Sequence, residues 1–154
     1  MTEKVQGFVG VAIGGTAIDG GAGASSAGTV RTIEATDSPF FTGSTAFSRV
    51  SAGVTEDKTV AKASAGVLRS LYLANAGASP AYVKFYNKAT APAVASDVPV
   101  AVYLVPAGVA QNVNLPLDGV TYSAGISFVM VTGSANTDAT EVPAGEITLS
   151  GSYR

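Results

Sequence analysis

The 154-residue chain contains no histidine, no cysteine and no tryptophan. Without histidine or cysteine, the Ser-His and Cys-His nucleophile pairs and the Cys/His zinc sites cannot be assembled. The lack of cysteine also removes any disulfide framework, which suits the cytoplasm without excluding export. Charge is scarce as well. Charged residues make up 13% of the chain, about half the usual share for a soluble domain. Nine Lys and Arg stand against eleven Asp and Glu, and the basic residues do not cluster, so the electrostatic footprint of nucleic-acid binding is missing. The carboxylates are scattered. Glu56 and Asp57 are adjacent and would project to opposite faces of a strand, while Asp138 and Glu141 lack the D-x-D-x-D-G spacing of a calcium loop. The expectation is a chain that is not an enzyme, with no catalytic residues, no cofactor and no metal. A glycosidase-type carboxylate pair drawn from distant positions stays open as the alternative.

Long hydrophobic runs are also lacking. The stretch 5–18 is interrupted by Gln6, four glycines and Thr16, whereas crossing a bilayer takes about 20 predominantly apolar residues. No membrane association is expected. The same stretch makes a poor signal peptide, since Glu3 offsets Lys4 and no leucine is present, although Ala22-Gly23-Ala24 resembles a cleavage site. Two glycine motifs also fail. The tract 20–26 lacks the third glycine of a dinucleotide fingerprint, and the spacing from Gly23 to Gly28 places Thr29 where a P-loop needs lysine.

What is present is apolar and small. Hydrophobic residues reach 47% and mean hydropathy is +0.33, with alanine supplying a large share. A surface so weakly charged is expected to be covered, most simply by other protein chains. The chain changes character near residue 50. Phe8, Phe40, Phe41 and Phe47 lie before that point with a Gly/Ala/Ser tract at 14–28, and all six tyrosines lie after it. Residues 1–53 are therefore read as an extended, glycine/alanine-rich N-terminal arm, with those four phenylalanines as anchors for pockets on a partner or, alternatively, as cover for one edge of the chain's own core. The tract has little to bury against the roughly 1–2 kcal/mol per residue of backbone entropy lost on ordering. It is expected to be loose when free, either as a flexible linker or as an arm ordered against a neighbouring subunit.

Residues 54–154 read as an all-β domain. Short strands are expected at 58–64, 67–75, 81–88, 100–105, 109–115, 120–124, 126–132 and 146–153, separated by turn residues such as Ala76-Gly77-Ala78-Ser79-Pro80 and Pro106-Ala107-Gly108. No window of helical length carries a 3.6-residue period. Strands at this spacing argue for an antiparallel β-sandwich, jelly-roll-like. The alternation at 81–88 puts Val83 and Phe85 on one side and Tyr82, Lys84, Tyr86 and Lys88 on the other. The segment 100–105 is apolar on both faces, hence central or interfacial. Tyr82 and Tyr86, with Tyr103 nearby, form the candidate contact surface. Three readings stand for the tyrosines of 81–88: a subunit interface, a part of the core, or a platform for stacking sugars.

The run Tyr82-Val83-Lys84-Phe85-Tyr86-Asn87-Lys88-Ala89-Thr90-Ala91-Pro92, then Asp97-Val98-Pro99-Val100, then Val105-Pro106-Ala107-Gly108, resembles a group of small tailed-bacteriophage virion proteins. Tyr122-Ser123-Ala124-Gly125-Ile126 and Val142-Pro143-Ala144-Gly145-Glu146-Ile147 fit the same pattern, so the similarity covers roughly 60–153. The resemblance implies a non-enzymatic β-sandwich carried on a phage particle, with the virion as its location. On that basis the expected role is a capsid decoration (cement) protein, with the major capsid protein or other virion proteins as partners. Many weak contacts, linked together, would raise its avidity. A tail or fibre component and a carbohydrate-binding or adhesin module are the alternatives. Sparse charge and open sheet edges further suggest a homo-oligomer. A homotrimer is favoured because capsid lattices offer local three-fold positions, although nothing in the sequence counts subunits.

Overall fold

The computed structural model describes residues 43–154 and, as backbone only, two short strands near the N-terminus. These are β1 (Ala12–Ile13) and β2 (Thr16–Ala17), an antiparallel pair. They belong to a unit, 1–42, separate from the compact unit Gly43–Arg154. Phe8, Phe40 and Phe41 lie outside the described residues, as does the tract 14–28, with its expected looseness, apart from the backbone of Thr16–Ala17.

The second unit is built from strands alone: β3 (Thr45–Val50), β4 (Asp57–Lys62), β5 (Gly66–Asn75), β6 (Ala81–Asn87), β7 (Ala101–Val105), β8 (Ala110–Asn112), β9 (Val120–Tyr122), β10 (Ile126–Val131) and β11 (Ile147–Tyr153). They form two antiparallel sheets. One has the order β4-β10-β6-β7; the other has β3-β11-β5-β8, with β9 also on β5. Both β8 and β9 use the free side of β5, β8 at Tyr72–Ala74 and β9 at Gly66–Leu68. Counting that shared position once, the first strand pairs with the last, the second with the seventh, the third with the sixth and the fourth with the fifth. A long hairpin rolled up in this way is a jelly roll, a β-sandwich of two Greek keys.

Alternation sends one side of each strand into the gap between the sheets. Val83 and Phe85 on β6, Ile126, Phe128 and Met130 on β10, Leu71 and Leu73 on β5, and Ile147 and Leu149 on β11 are buried there together. Leu68 joins them out of phase with Leu71. The phase changes because Ser152 pairs with Ser70 and Tyr153 with Leu68, leaving Arg69 as the extra residue of a bulge. Polar anchors close the ends of the sandwich. The buried Asn75 side chain donates to the Ser79 and Val105 carbonyls, both at 2.9 Å, and accepts from the Gly77 N–H at 2.8 Å. The buried Asp57 accepts from Arg49 and from the Ala52 N–H, both at 2.7 Å.

Two sequence expectations shift. The sandwich begins at Gly43, not at Val54, because β3 pairs along its full length with β11. Phe47 is consequently a sandwich residue rather than an arm anchor. Its ring lies 6.1 Å from that of Phe128 and 5.9 Å from that of Tyr153. The ring fills the space over Gly151, where a Cβ would meet it at 2.9 Å. The segment 100–105, open to a central position by its apolar character, is instead an edge strand, β7.

These contacts separate two truncations. A chain starting at Val54 loses β3, the Phe47 ring and the Arg49 partner of Asp57. It should be less stable by about 3–5 kcal/mol than a chain starting at Gly43. Urea unfolding followed by circular dichroism measures the difference, and equal midpoints would contradict the role given to β3.

Candidate functional site

The outer face of the four-stranded sheet is covered in part by its own loops. Tyr86, Val129 and Val131 point outward from β6 and β10, yet they are buried with Val94 from the β6–β7 connection and packed by Tyr82 and Ala139. Lys84, between the two tyrosines, has no exposed surface. Its ammonium donates to the carbonyls of Ala135 and Asp138, pinning the β10–β11 connection to the sheet. Within that connection the Asp138 carboxylate accepts from the N–H groups of Gly133 and Thr140 and from the Thr140 hydroxyl, each at 3.1 Å. Burial lowers the Lys84 pKa from its ordinary value, and the charge of Asp138 partly offsets this.

The three candidate interface tyrosines are thus not brought together on one surface. Tyr86 is 1% exposed. Tyr103 pairs with Val83 and so faces the inside of the sandwich, where it meets Phe85 edge-on at 5.9 Å. Tyr82 and Tyr103 are both half-buried, but on opposite faces of the sheet, so of the three only Tyr82 is open on the outer face. Alternation correctly divided the two faces of β6, but it carries no information about loops folding back over one of them.

The surface that stays open is the flank formed by the last strand of each sheet. Between Asp97 and Asp118 the chain has no charged residue, and this stretch contains β7, β8 and the turn between them. Val98, Val100, Val102, Leu104 and Val109 are all exposed, Val98 at 72% and Val100 at 57%. Leu104 lies opposite Tyr82 across the β6–β7 ladder. Edge strands of soluble proteins are normally blunted by charge; here it is absent.

A second surface is the outer face of the five-stranded sheet, on which a groove of about 440 Å³ lies open to solvent. Its lining includes Ser70, Tyr72, Asn112, Ser150 and Ser152, small and neutral apart from the Tyr72 ring. Among the carboxylates, Asp57 pairs with Arg49, Glu56 with Lys58 and Asp97 with Lys88. Among the described residues no group of three or more potential metal-ligating side chains occurs, and no helix is long and apolar enough to cross a membrane.

The fold defines an eight-position jelly-roll sandwich. Beyond that class, comparison with protein-family models, with curated proteins and with solved structures finds no match.

Burial sets the response to alkali. Tyr86, Tyr103 and Tyr122 all have raised pKa values, chiefly because burial disfavours the phenolate. Unfolded tyrosines ionise near 10, so the unfolded state sheds protons that the folded state retains. Stability contributed by these groups is complete below that pH and falls as pH rises beyond it. Lys84 works in the opposite direction: its lowered pKa makes stability rise with pH up to its ordinary value of 10.5. Urea midpoints should therefore stop rising and then drop above pH about 10, with Tyr122→Phe reducing the drop and Lys84→Met flattening the preceding rise. A Tyr86→Phe change removes a buried hydroxyl that has no partner and should leave stability equal or higher, whereas Tyr86→Ser should cost about 3 kcal/mol or more.

Proposed function

We propose that the chain is a non-enzymatic structural subunit of a tailed-bacteriophage particle, and within that class a capsid decoration (cement) protein that joins the assembled head. One observation carries the reading: the uncharged flank 98–117, which presents the edge strands of both sheets with a row of exposed valines and Leu104. A monomer in water gains nothing from such a flank, whereas an assembly subunit gains from burying it. Fully burying an exposed aliphatic side chain contributes roughly 1.5–3 kcal/mol. Five side chains that are already partly covered give a gross gain of several kcal/mol, enough to matter once contacts are multiplied over a lattice. The order and spacing of the turn motifs, which resemble those of small virion proteins, support the same reading.

The partner is another virion subunit, with self-association as a homotrimer the favoured arrangement on the particle. Tyr82, beside Leu104, remains at the rim of the proposed contact, while Tyr86 and Tyr103 support it from within. A tail or fibre component is the second structural role, and the binding assay separates the two.

Purified heads and purified tails, incubated separately with the full chain and sedimented, test the proposal. Binding to heads is expected. The double change Val102→Lys with Leu104→Glu puts charge on the outer face of the edge strand. It should abolish co-sedimentation while leaving the thermal midpoint within a few degrees of the parent, because both side chains are already solvent-exposed. Binding to tails alone moves the protein to the runner-up role, and full head binding by the charged variant overturns the assignment of this flank.

A further inference from the structure

The outer face of the five-stranded sheet is unlike the other surfaces of the domain. The register places side chains there in rows running across the strands. One row reads Ser48, Ser150, Tyr72, Asn112, and the next reads Ala46, Ser152, Ser70. Neighbouring strands are about 4.8 Å apart and alternate residues about 6.8 Å apart, so these groups form a close grid. The small residues give a low floor, and the Tyr72 ring, 38% exposed, stands above it. The bulge at Arg69 and the departure of the chain after β8 open the recess on one side, where Val113 and Leu115 form the wall.

The chemistry of the lining narrows what can bind. Ser70 and Ser152 share a hydrogen bond at 2.8 Å, and Ser48 and Ser150 share one at 3.2 Å. A hydroxyl has one donor and two acceptor positions, so each pair retains capacity for a ligand. Asn112 is exposed and adds both a donor and an acceptor. No carboxylate lines the groove, which leaves a cation without a ligand. The one charge is Arg69, whose guanidinium donates to the Asp118 carbonyl at 2.9 Å; a single tethered arginine is too little for a nucleic-acid backbone. The floor has no deep apolar pocket of the kind that seats the anchor side chain of a peptide.

We propose that this groove is a binding site for a neutral oligosaccharide. A pyranose ring offers an apolar C–H face and a rim of hydroxyls. The Tyr72 ring would stack on the former, while Asn112, Ser150 and the Ser70–Ser152 pair exchange hydrogen bonds with the latter. The volume suits a short stretch of glycan rather than a single small ion. The groove shares Asn112, Val113 and Leu115 with the flank 98–117, but none of the exposed side chains Val98, Val100, Val102, Leu104 and Val109 on which the assembly contact rests lines it, so each assignment is tested by its own variants.

The test is a nuclear magnetic resonance titration of the ¹⁵N-labelled full chain with a panel of neutral hexasaccharides: malto-, cello-, xylo-, manno-, galacto- and chitohexaose. At least one is expected to shift the amides of Tyr72, Asn112 and Ser150 saturably, with a Kd of about 1 mM or tighter. Tyr72→Ala should weaken that binding by about tenfold or more, and Asn112→Ala by a smaller factor, while Tyr82→Ser on the opposite sheet should leave it unchanged. The spectra themselves show that each variant is folded. No saturable shift with any member of the panel, shifts confined to other surfaces, or unchanged binding by Tyr72→Ala would each overturn the proposal. Shifts at these amides produced by purified heads, with none from the glycans, would assign the groove to a protein partner and overturn it equally.

Discussion

The two sheets are held in register by a chain of aromatic rings. Phe85 lies at its centre, with Phe128 at 5.4 Å, Tyr103 at 5.9 Å and Tyr122 at 6.4 Å. From Phe128 the chain continues to Phe47 and then Tyr153. Three of these rings come from β6, β7 and β10 of one sheet, and three from β3, β9 and β11 of the other. Tilted and edge-on pairs at such separations add about 0.5–1.5 kcal/mol each beyond the area they bury. Most of the small side chains in the sandwich could not span the gap between sheets. The rings do, and because they come from six different strands, with Phe47 and Tyr153 from opposite ends of the domain, they also help to fix which strands may pair.

That core constraint decides what is left for the surfaces. With most of the large side chains drawn inward, the outer face of the five-stranded sheet is left mainly with serine, threonine and alanine around Tyr72 and Asn112, with Val50 exposed on the edge strand β3. The outer face of the other sheet keeps large residues, and the loops 88–100 and 132–146 supply the cover. Lys84 is the device that fastens the second of these loops. A buried ammonium is expensive unless its hydrogen bonds are made, and here the carbonyls of Ala135 and Asp138 make them. The cost of burial thus becomes a reason for the loop to stay in place.

Most of the sandwich was legible because strand alternation and turn chemistry are local signals. The clear alternation at 81–88 and 146–153, and the turns at 76–80 and 106–108, correspond closely to β6, β11 and the turns beside them. The strand Thr45–Val50 was not legible. Its sequence, Thr-Ala-Phe-Ser-Arg-Val, has a single aromatic among small and polar residues, and its pairing partner lies about a hundred residues away. Nothing near it in the chain announces that partner. The same limit applies to Tyr86, whose outward side of the strand could be read but whose covering loop could not. The bulge at Arg69 carried no signal either, yet it brings Leu68 into the core and opens the groove beside Tyr72.

The low charge of the sequence acquires a spatial meaning in this fold. Arg49, Lys58 and Lys88 are engaged with Asp57, Glu56 and Asp97, Lys84 is buried, and Arg69 is tethered to a carbonyl. The other charges among the described residues are Lys62, Asp118, Asp138, Glu141, Glu146 and Arg154, and none falls between residues 98 and 117. The partly exposed pairs Lys58–Glu56 and Lys88–Asp97, unlike the buried Asp57–Arg49 anchor, contribute little to stability, so their arrangement is not explained by a need to hold the domain together. They sit instead around β4 and the β6–β7 connection, at a distance in sequence from the edge formed by β7 and β8. A domain that merely had to stay soluble would place at least one lysine on that edge, where a single charge suffices to discourage strand pairing. Keeping it bare costs solubility at the one position where self-association is easiest. That cost is offset only if the flank is covered in the working state of the protein.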